Sequence, residues 1–410
     1  GALELAGLAG NSSGGSNIGV RVYGTLSTAA GNLTLTGAGN GNGASSNNDG
    51  IAFYGGATAR AVAGTVLLDG AHGIGGSSEG IAFETGTSAA TLGQATQSGP
   101  VILRADVQWI STNNVSILGS PAVTIEPKGA SFGTALSSAK YAVPSTATAF
   151  TFGKAGNTAA LTVASNLSVA GPISVFGGDV TLSSNLTSTL SGAAIQVRAS
   201  GNSTQAPGVA LLANGGNVSL VAAGDIYLQT GASIQSQGGS ILLSSNLDGV
   251  NGGSITLHSS TLSSAGGNIT LGGGLLGDGS GYAEGSAGAS PTDANCRYRG
   301  IYLVTSTINA AGGNVALRGR GWQGAAWNSA DTGYGAYYAI GIDYVLGTTV
   351  STTGTGSVTL DGVGGVNYNA ATHGAGINFF STTAANSLST GGGAISITGT
   401  AGTGKTRAPS

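Results

Sequence analysis

Apolar residues alternate with Thr or Ser along this chain in short bursts, and a small turn opens each burst. The phrase reads Gly31-Asn32-Leu33-Thr34-Leu35, Gly216-Asn217-Val218-Ser219-Leu220, Gly253-Ser254-Ile255-Thr256-Leu257, Gly267-Asn268-Ile269-Thr270-Leu271, Gly313-Asn314-Val315-Ala316-Leu317 and Gly356-Ser357-Val358-Thr359-Leu360. A period of two puts Val, Ile and Leu on one face of a strand and the hydroxyl residues on the other. β-Branched side chains suit the pleat, and Gly or Asn at the corners supplies the positive φ of tight turns. No long i, i+3, i+4, i+7 pattern occurs, so strands are expected throughout. Strands this short cannot bury their apolar faces alone, and one unit repeated in one register predicts stacking into a solenoid.

The spacing divides the chain. Residues 18–104 and 272–400 read as double-strand modules, in which an opening strand leads to an anchoring one. Gly50-Ile51-Ala52-Phe53 leads to Val66-Leu67-Leu68, Gly300-Ile301-Tyr302-Leu303 to Val315-Ala316-Leu317, and Gly376-Ile377-Asn378-Phe379 to Ile395-Ser396-Ile397. The anchors recur at Leu35, Leu68 and Leu103, then at Leu271, Leu317, Leu360 and Ile397. Connections of varying length run from Gly37 to Gly50, Gly70 to Gly80, Gly272 to Gly300, Gly319 to Gly341 and Gly362 to Gly376. Insertions are therefore confined to one corner and should form a ridge of loops. Residues 161–271 read as a regular segment with three short strands per coil, and 105–160 as irregular coils. Recurring Asn32, Asn217, Asn268 and Asn314 suggest ladders. A sandwich would not repeat one phrase in one register. The expected fold is all-β: a right-handed parallel β-helix running through residues 1–410, with Gly/Asn-rich loops at one corner. Roughly 20 coils at strand spacing would give a rod on the order of 90 Å long.

These phrases resemble the repeats of filamentous-haemagglutinin-like exoproteins, the β-helical adhesins exported by two-partner secretion. The likeness lies in the Gly-Gly-Asn-Val and Gly-Gly-x-Ile corners, in Gly178-Asp179-Val180-Thr181-Leu182-Ser183-Ser184-Asn185-Leu186, and in the modules opening at Gly50-Ile51 and Gly300-Ile301. It covers roughly residues 18–400. The resemblance implies a secreted or cell-surface rod used for attachment or in biofilm, exported through an outer-membrane transporter. Its amino-terminal Asn-Pro-rich secretion signature does not occur here.

Composition narrows the function classes. The 410 residues include 77 Gly and no Met, with 13 basic and 16 acidic side chains and a net charge of −3. No apolar run approaches the ~20 residues of a spanning helix, and the alternations are about half the length of a barrel strand. Scattered basic residues argue against a nucleic-acid groove. The missing Met suggests a processed or internal stretch. Cys296, alone, has no disulfide partner within the chain and only Arg297 and Arg299 as neighbours to activate it.

Candidate ligand-binding chemistry concentrates at Arg297, Tyr298, Arg299, Arg318, Arg320, Trp322, Trp327, Tyr334, Tyr337 and Tyr338, with Tyr302 and Tyr344 nearby. Aromatic faces stack on sugars and guanidinium groups pair with carboxylates, so the cluster could bind glycan or protein. The alternative is a loop folding back to bury its aromatics. Glycoside hydrolysis needs two carboxylates facing across a bond, and Asp278, Glu284, Asp293, Asp331, Asp343 and Asp361 are the available acids; solvated turns explain them equally. His72, His258 and His373 lack zinc spacing, and Gly277-Asp278-Gly279 and Asn47-Asn48-Asp49-Gly50 match calcium repeats poorly. No cofactor, metal or catalysis is expected. The expected function is a structural or adhesive rod whose partners are host or bacterial surface glycans and proteins. Alternatives are a head-to-tail filament subunit and a polysaccharide-processing enzyme.

Overall fold

The computed structural model describes residues 1–41, 44–84, 86, 88–111, 115–250, 252–286, 298–323, 338–366 and 374–403. They form two units, Gly1–Gly178 with Thr187–Leu190, and Asp179–Leu186 with Ser191–Ser410. In the first unit the strands Leu3–Leu8, Leu33–Ala38, Val66–Ala71, Val101–Arg104, Ala122–Glu126, Ala149–Gly153 and Ile173–Gly177 lie side by side in chain order, all parallel. The second unit builds an equivalent long sheet from Ile195–Ala199, Val218–Ala222, Ile241–Ser245, Ile269–Gly273, Val315–Arg320, Val358–Val363 and Ile395–Thr400. Between consecutive long-sheet strands the chain contributes short strands to two other faces, as with Ile51–Tyr54 and Thr58–Ala61, or Ile301–Val304 and Thr307–Asn309. The described residues contain no α-helix, only a 3-10 turn at Ser138–Lys140. The chain is a parallel β-helix, as the repeated phrase requires.

The anchors stack as their recurrence predicts. Leu35 pairs with Leu68 and Leu68 with Leu103, while Leu271, Leu317, Leu360 and Ile397 form one column in the second unit. All but the last are fully buried. Each buried Leu contributes about 1.5–3 kcal/mol, and the parallel register sets like side chains one over another. Phe53 lies above Phe83 with ring centroids 5.3 Å apart.

Two features differ from the sequence pattern. The double-strand modules carry a third short strand, such as Thr58–Ala61, whose inward residues are only Ala59 and Ala61; an alanine pair gives no visible apolar alternation. Residues 105–160 also keep the three-face plan, with Gln108–Ile110, Val115–Leu118 and Ala122–Glu126 on successive faces.

The corner Asn residues act on the next coil's backbone rather than on each other's side-chain amides. Asn32 Oδ1 accepts from Thr65 N (3.0 Å), Asn217 Oδ1 from Ser240 N (2.8 Å), Asn268 Oδ1 from Asn314 N (2.9 Å) and Asn314 Oδ1 from Ser357 N (2.9 Å). A second corner in the second unit repeats the device: Asp179 accepts from Asn202 N, Asn202 from Asp225 N, and Asp225 from Ser254 N, at 2.7–2.8 Å. Each such bond contributes about 1 kcal/mol net.

The glycines bounding the long connections pack backbone to backbone. A Cβ on Gly37 would lie 2.0 Å from Gly50 O, one on Gly70 1.9 Å from Gly80 O, one on Gly319 2.2 Å from Gly341 O, and one on Gly362 2.1 Å from Gly376 O. These four loops therefore leave and re-enter their coils through a neck two glycines wide, whereas Gly272 packs against Gly279 and Gly281. Only residues without side chains allow that approach.

Candidate functional site

Of the predicted aromatic–arginine cluster, the described members divide into buried and half-buried side chains. Arg297, Trp327, Tyr334 and Tyr337 lie outside the described residues, as do Asp293, Asp331, Cys296 and His373. Tyr298, Arg299 and Tyr302 are buried, and Tyr344 points into the interior against Phe379, ring centroids 4.7 Å apart. Burial pushes the Tyr344 phenol far above its ordinary range. Arg299 donates from Nε to Asp343 Oδ2 at 2.5 Å, and its guanidinium carbon lies 4.5 Å from the Tyr302 ring centre and 5.1 Å from that of Tyr338. Asn378 Nδ2 donates to the other Asp343 oxygen at 2.8 Å. Tyr302, Asp343 and Asn378 occupy consecutive positions of one outward row, whose first two members are buried beneath Arg299.

The remaining described members are half-buried and pin a loop to the outer face of the long sheet. Arg320 sits 4.7 Å over the Tyr282 ring, and Tyr282 donates its phenol to Asp361 at 2.7 Å. Arg318 is the register partner of Asp361, and Trp322 N donates to Tyr298 O at 3.0 Å. The acids split accordingly: Asp343 and Asp361 are engaged, Asp278 is exposed, and Glu284 is half-buried. Hydrogen bonds from Ser280 hold Asp278 below its ordinary value, whereas burial raises Glu284 against the pull of Arg320. His72 contacts Gly73 O and His258 contacts Thr230 Oγ1, each at 3.0 Å. Among the described residues no three His, Cys, Asp or Glu side chains form a metal-type group.

A second surface, in the first unit, escaped the sequence reading. The strands Val20–Val22, Ile51–Tyr54, Ile81–Glu84 and Gln108–Ile110 pair in parallel. Their outward positions form two columns: Arg21, Ala52, Ala82 and Trp109 in one, and Tyr23, Tyr54, Glu84 and Ser111 in the other. Tyr23 stacks on Tyr54 with centroids 4.8 Å apart and planes at 13°, although Tyr23 is 67% exposed. Trp109 is 42% exposed, whereas Ala52 and Ala82 are completely covered. Arg21 reaches Ser16 O at 3.0 Å.

At the edge of this face two acids stack. Glu79 N donates to Asp49 Oδ1 at 3.0 Å, and Asp49 is 1% exposed. Burial, the hydrogen-bonded Asp49 carboxyl and, more weakly, Glu84 push Glu79 up to about 7. Burial and then Asp49 raise Glu84 as well. The signal was present in the sequence as Asp49-Gly-Ile-Ala-Phe-Tyr54 and Glu79-Gly-Ile-Ala-Phe-Glu84. These segments share their four central residues and differ at both flanks, and register sets Asp49 beside Glu79 and Tyr54 beside Glu84.

Because the folded state binds the Glu79 proton more tightly than the unfolded chain, this residue's contribution is present below its ordinary value of 4.5 and lost as pH rises through about 7. Glu79 is partly exposed, and screening limits the effect to about 1 kcal/mol. The melting temperature of the wild-type protein is expected to fall between pH 5 and pH 8 by more than that of Glu79→Gln. Identical pH profiles would show that Glu79 does not titrate in this window.

Comparisons of this chain with protein-family models, curated proteins and solved structures find no match. The fold places the chain in the broad class of parallel β-solenoid proteins, which is the part of the exoprotein resemblance that the architecture carries.

Proposed function

We propose that this chain is a non-catalytic attachment scaffold, secreted or displayed at a bacterial cell surface, that engages surface glycans or proteins through its outer faces and loops. The observation that carries this reading is the separation of a repeated interior from a varied exterior. Anchor columns and corner hydrogen bonds recur from coil to coil, while four loops enter through glycine necks and differ in length and composition. Such an arrangement keeps a frame constant while its presented chemistry changes. Passage through an outer-membrane transporter follows from the exoprotein resemblance.

Saccharide cleavage is the competing reading, and Asp49 and Glu79 are the acids it would use. An acid titrating near 7 suits proton donation. However, the Asp49 carboxyl is buried and accepts from the backbone of Glu79 itself, so the two do not face each other across an open gap as glycoside hydrolysis requires. The test is retention of the labelled chain on bacterial and epithelial cell surfaces, alongside release of reducing ends from a polysaccharide panel. Saturable retention without new reducing ends is expected. Turnover of a polysaccharide without retention would overturn the proposal.

A further inference from the structure

The outward face of the four-strand sheet in the first unit has the composition of a saccharide site, and we infer that it binds a neutral hexose chain across Tyr23, Tyr54, Glu84 and Trp109. This rests on the attachment reading above and gives it a ligand class and a place.

Exposed aromatic side chains lose free energy to water unless something covers them, and two tyrosines stacked face to face present an outer ring face as a flat apolar plate. Tyr23 and Tyr54 form such a plate in this structure. Trp109 stands two strands from Tyr54 and in the other column, roughly 10 Å away across the sheet at ordinary strand spacing. Between them stand Ala52 and Ala82, whose single methyl groups do not rise above the aromatic rings on either side. Glu84 rises beside them, two residues along its strand from Ala82. An ionised carboxylate offers acceptors on two oxygens, which suits a pair of sugar hydroxyls, while the apolar faces of hexose rings suit the aromatic plates.

Charge selects among sugars. Glu84, Glu79 and Asp49 act on one another, and Arg21, which like Glu84 and Asp49 acts on Tyr54, is already hydrogen-bonded to Ser16 O. A uronate or sulfated chain would meet like charge there, whereas hydroxyls meet acceptors. Both alanines are fully covered by their surroundings, so a ligand contacts the rim they define.

The experiment is calorimetric titration of the full chain with cellohexaose, chitohexaose and maltohexaose, with hexagalacturonate as the anionic counterpart. At least one neutral hexamer is expected to bind, and hexagalacturonate to bind at least tenfold more weakly. Tyr54→Ala and Trp109→Ala should each weaken binding of the neutral hexamer tenfold or more, and Trp109→Phe should restore most of it. Glu84→Gln should weaken it severalfold. Circular dichroism and melting confirm that each variant is folded; Trp109 is exposed enough for truncation to leave the coil intact. The inference is overturned if no neutral hexamer binds, if the folded alanine variants bind as wild type does, or if hexagalacturonate binds best. Cell-surface retention measured on the same samples separates the two proposals. Retention without hexamer binding removes this site alone, and loss of both in the wild-type chain removes the attachment reading with it.

Discussion

Gly70→Ala is expected to destabilise the first unit by about 3 kcal/mol, the scale of an unrelieved steric clash inside a packed protein. The added methyl would lie 1.9 Å from Gly80 O, and the obstacle is backbone rather than a side chain able to rotate away. Gly70 is also the register partner of Gly37, which makes the same close approach to Gly50. Relief requires the neck to open, and the strands Val66–Ala71 and Ile81–Glu84 must part where they meet it. Hydrogen exchange should report this as lost protection of the amides in Val66–Ala71, together with a lower denaturation midpoint. Gly24→Ala is the control, because a Cβ there meets nothing within 4 Å. Equal stability of the two variants would show that the necks are not tight.

Arg299→Met should cost the second unit about 3–5 kcal/mol, since it leaves a buried carboxylate without its cation. Asp343 is 2% exposed, and Asn378 is its other described side-chain partner. Methionine nearly fills the volume and keeps an apolar contact with Tyr302, so the loss isolates the charge. Adding Asp343→Leu should recover most of that stability, because an apolar pair of similar size often equals a buried ion pair. Amide exchange in Ile342–Val345 gives the local readout. A single variant as stable as wild type would show that water reaches Asp343.

Much of the frame was legible in the residues themselves. The anchors from Leu35 to Ile397 stack as their recurrence predicts, and Gly37, Gly50, Gly70, Gly80, Gly319, Gly341, Gly362 and Gly376 bound the loops where the composition changes. Short inner strands were not legible: Thr58–Ala61 turns two alanines inward, a contrast too weak to read as a period. The surface around Tyr54 and Trp109 stayed hidden for another reason. Its members lie on four separate coils, and only register brings them onto one face. The same holds for Arg299 and Asp343, 44 positions apart and joined by stacking. In the richest cluster by composition, Tyr298, Arg299 and Tyr302 pack against the chain itself, while Arg318, Arg320, Trp322 and Tyr338 stay partly exposed. Aromatics and arginines together signal contact, but composition does not say whether the contact is with a ligand or with the chain's own sheet.

The glycine necks have an evolutionary corollary. When the two ends of a segment are already held together by the frame, doubling its length adds only about 0.6 kcal/mol of closure entropy. In-frame insertions and exchanges between the codons for Gly37 and Gly50, or for Gly319 and Gly341, can then rewrite what the exterior shows while the coils above and below fold as before. Architecture and vocabulary are inherited separately, and selection can revise one without renegotiating the other.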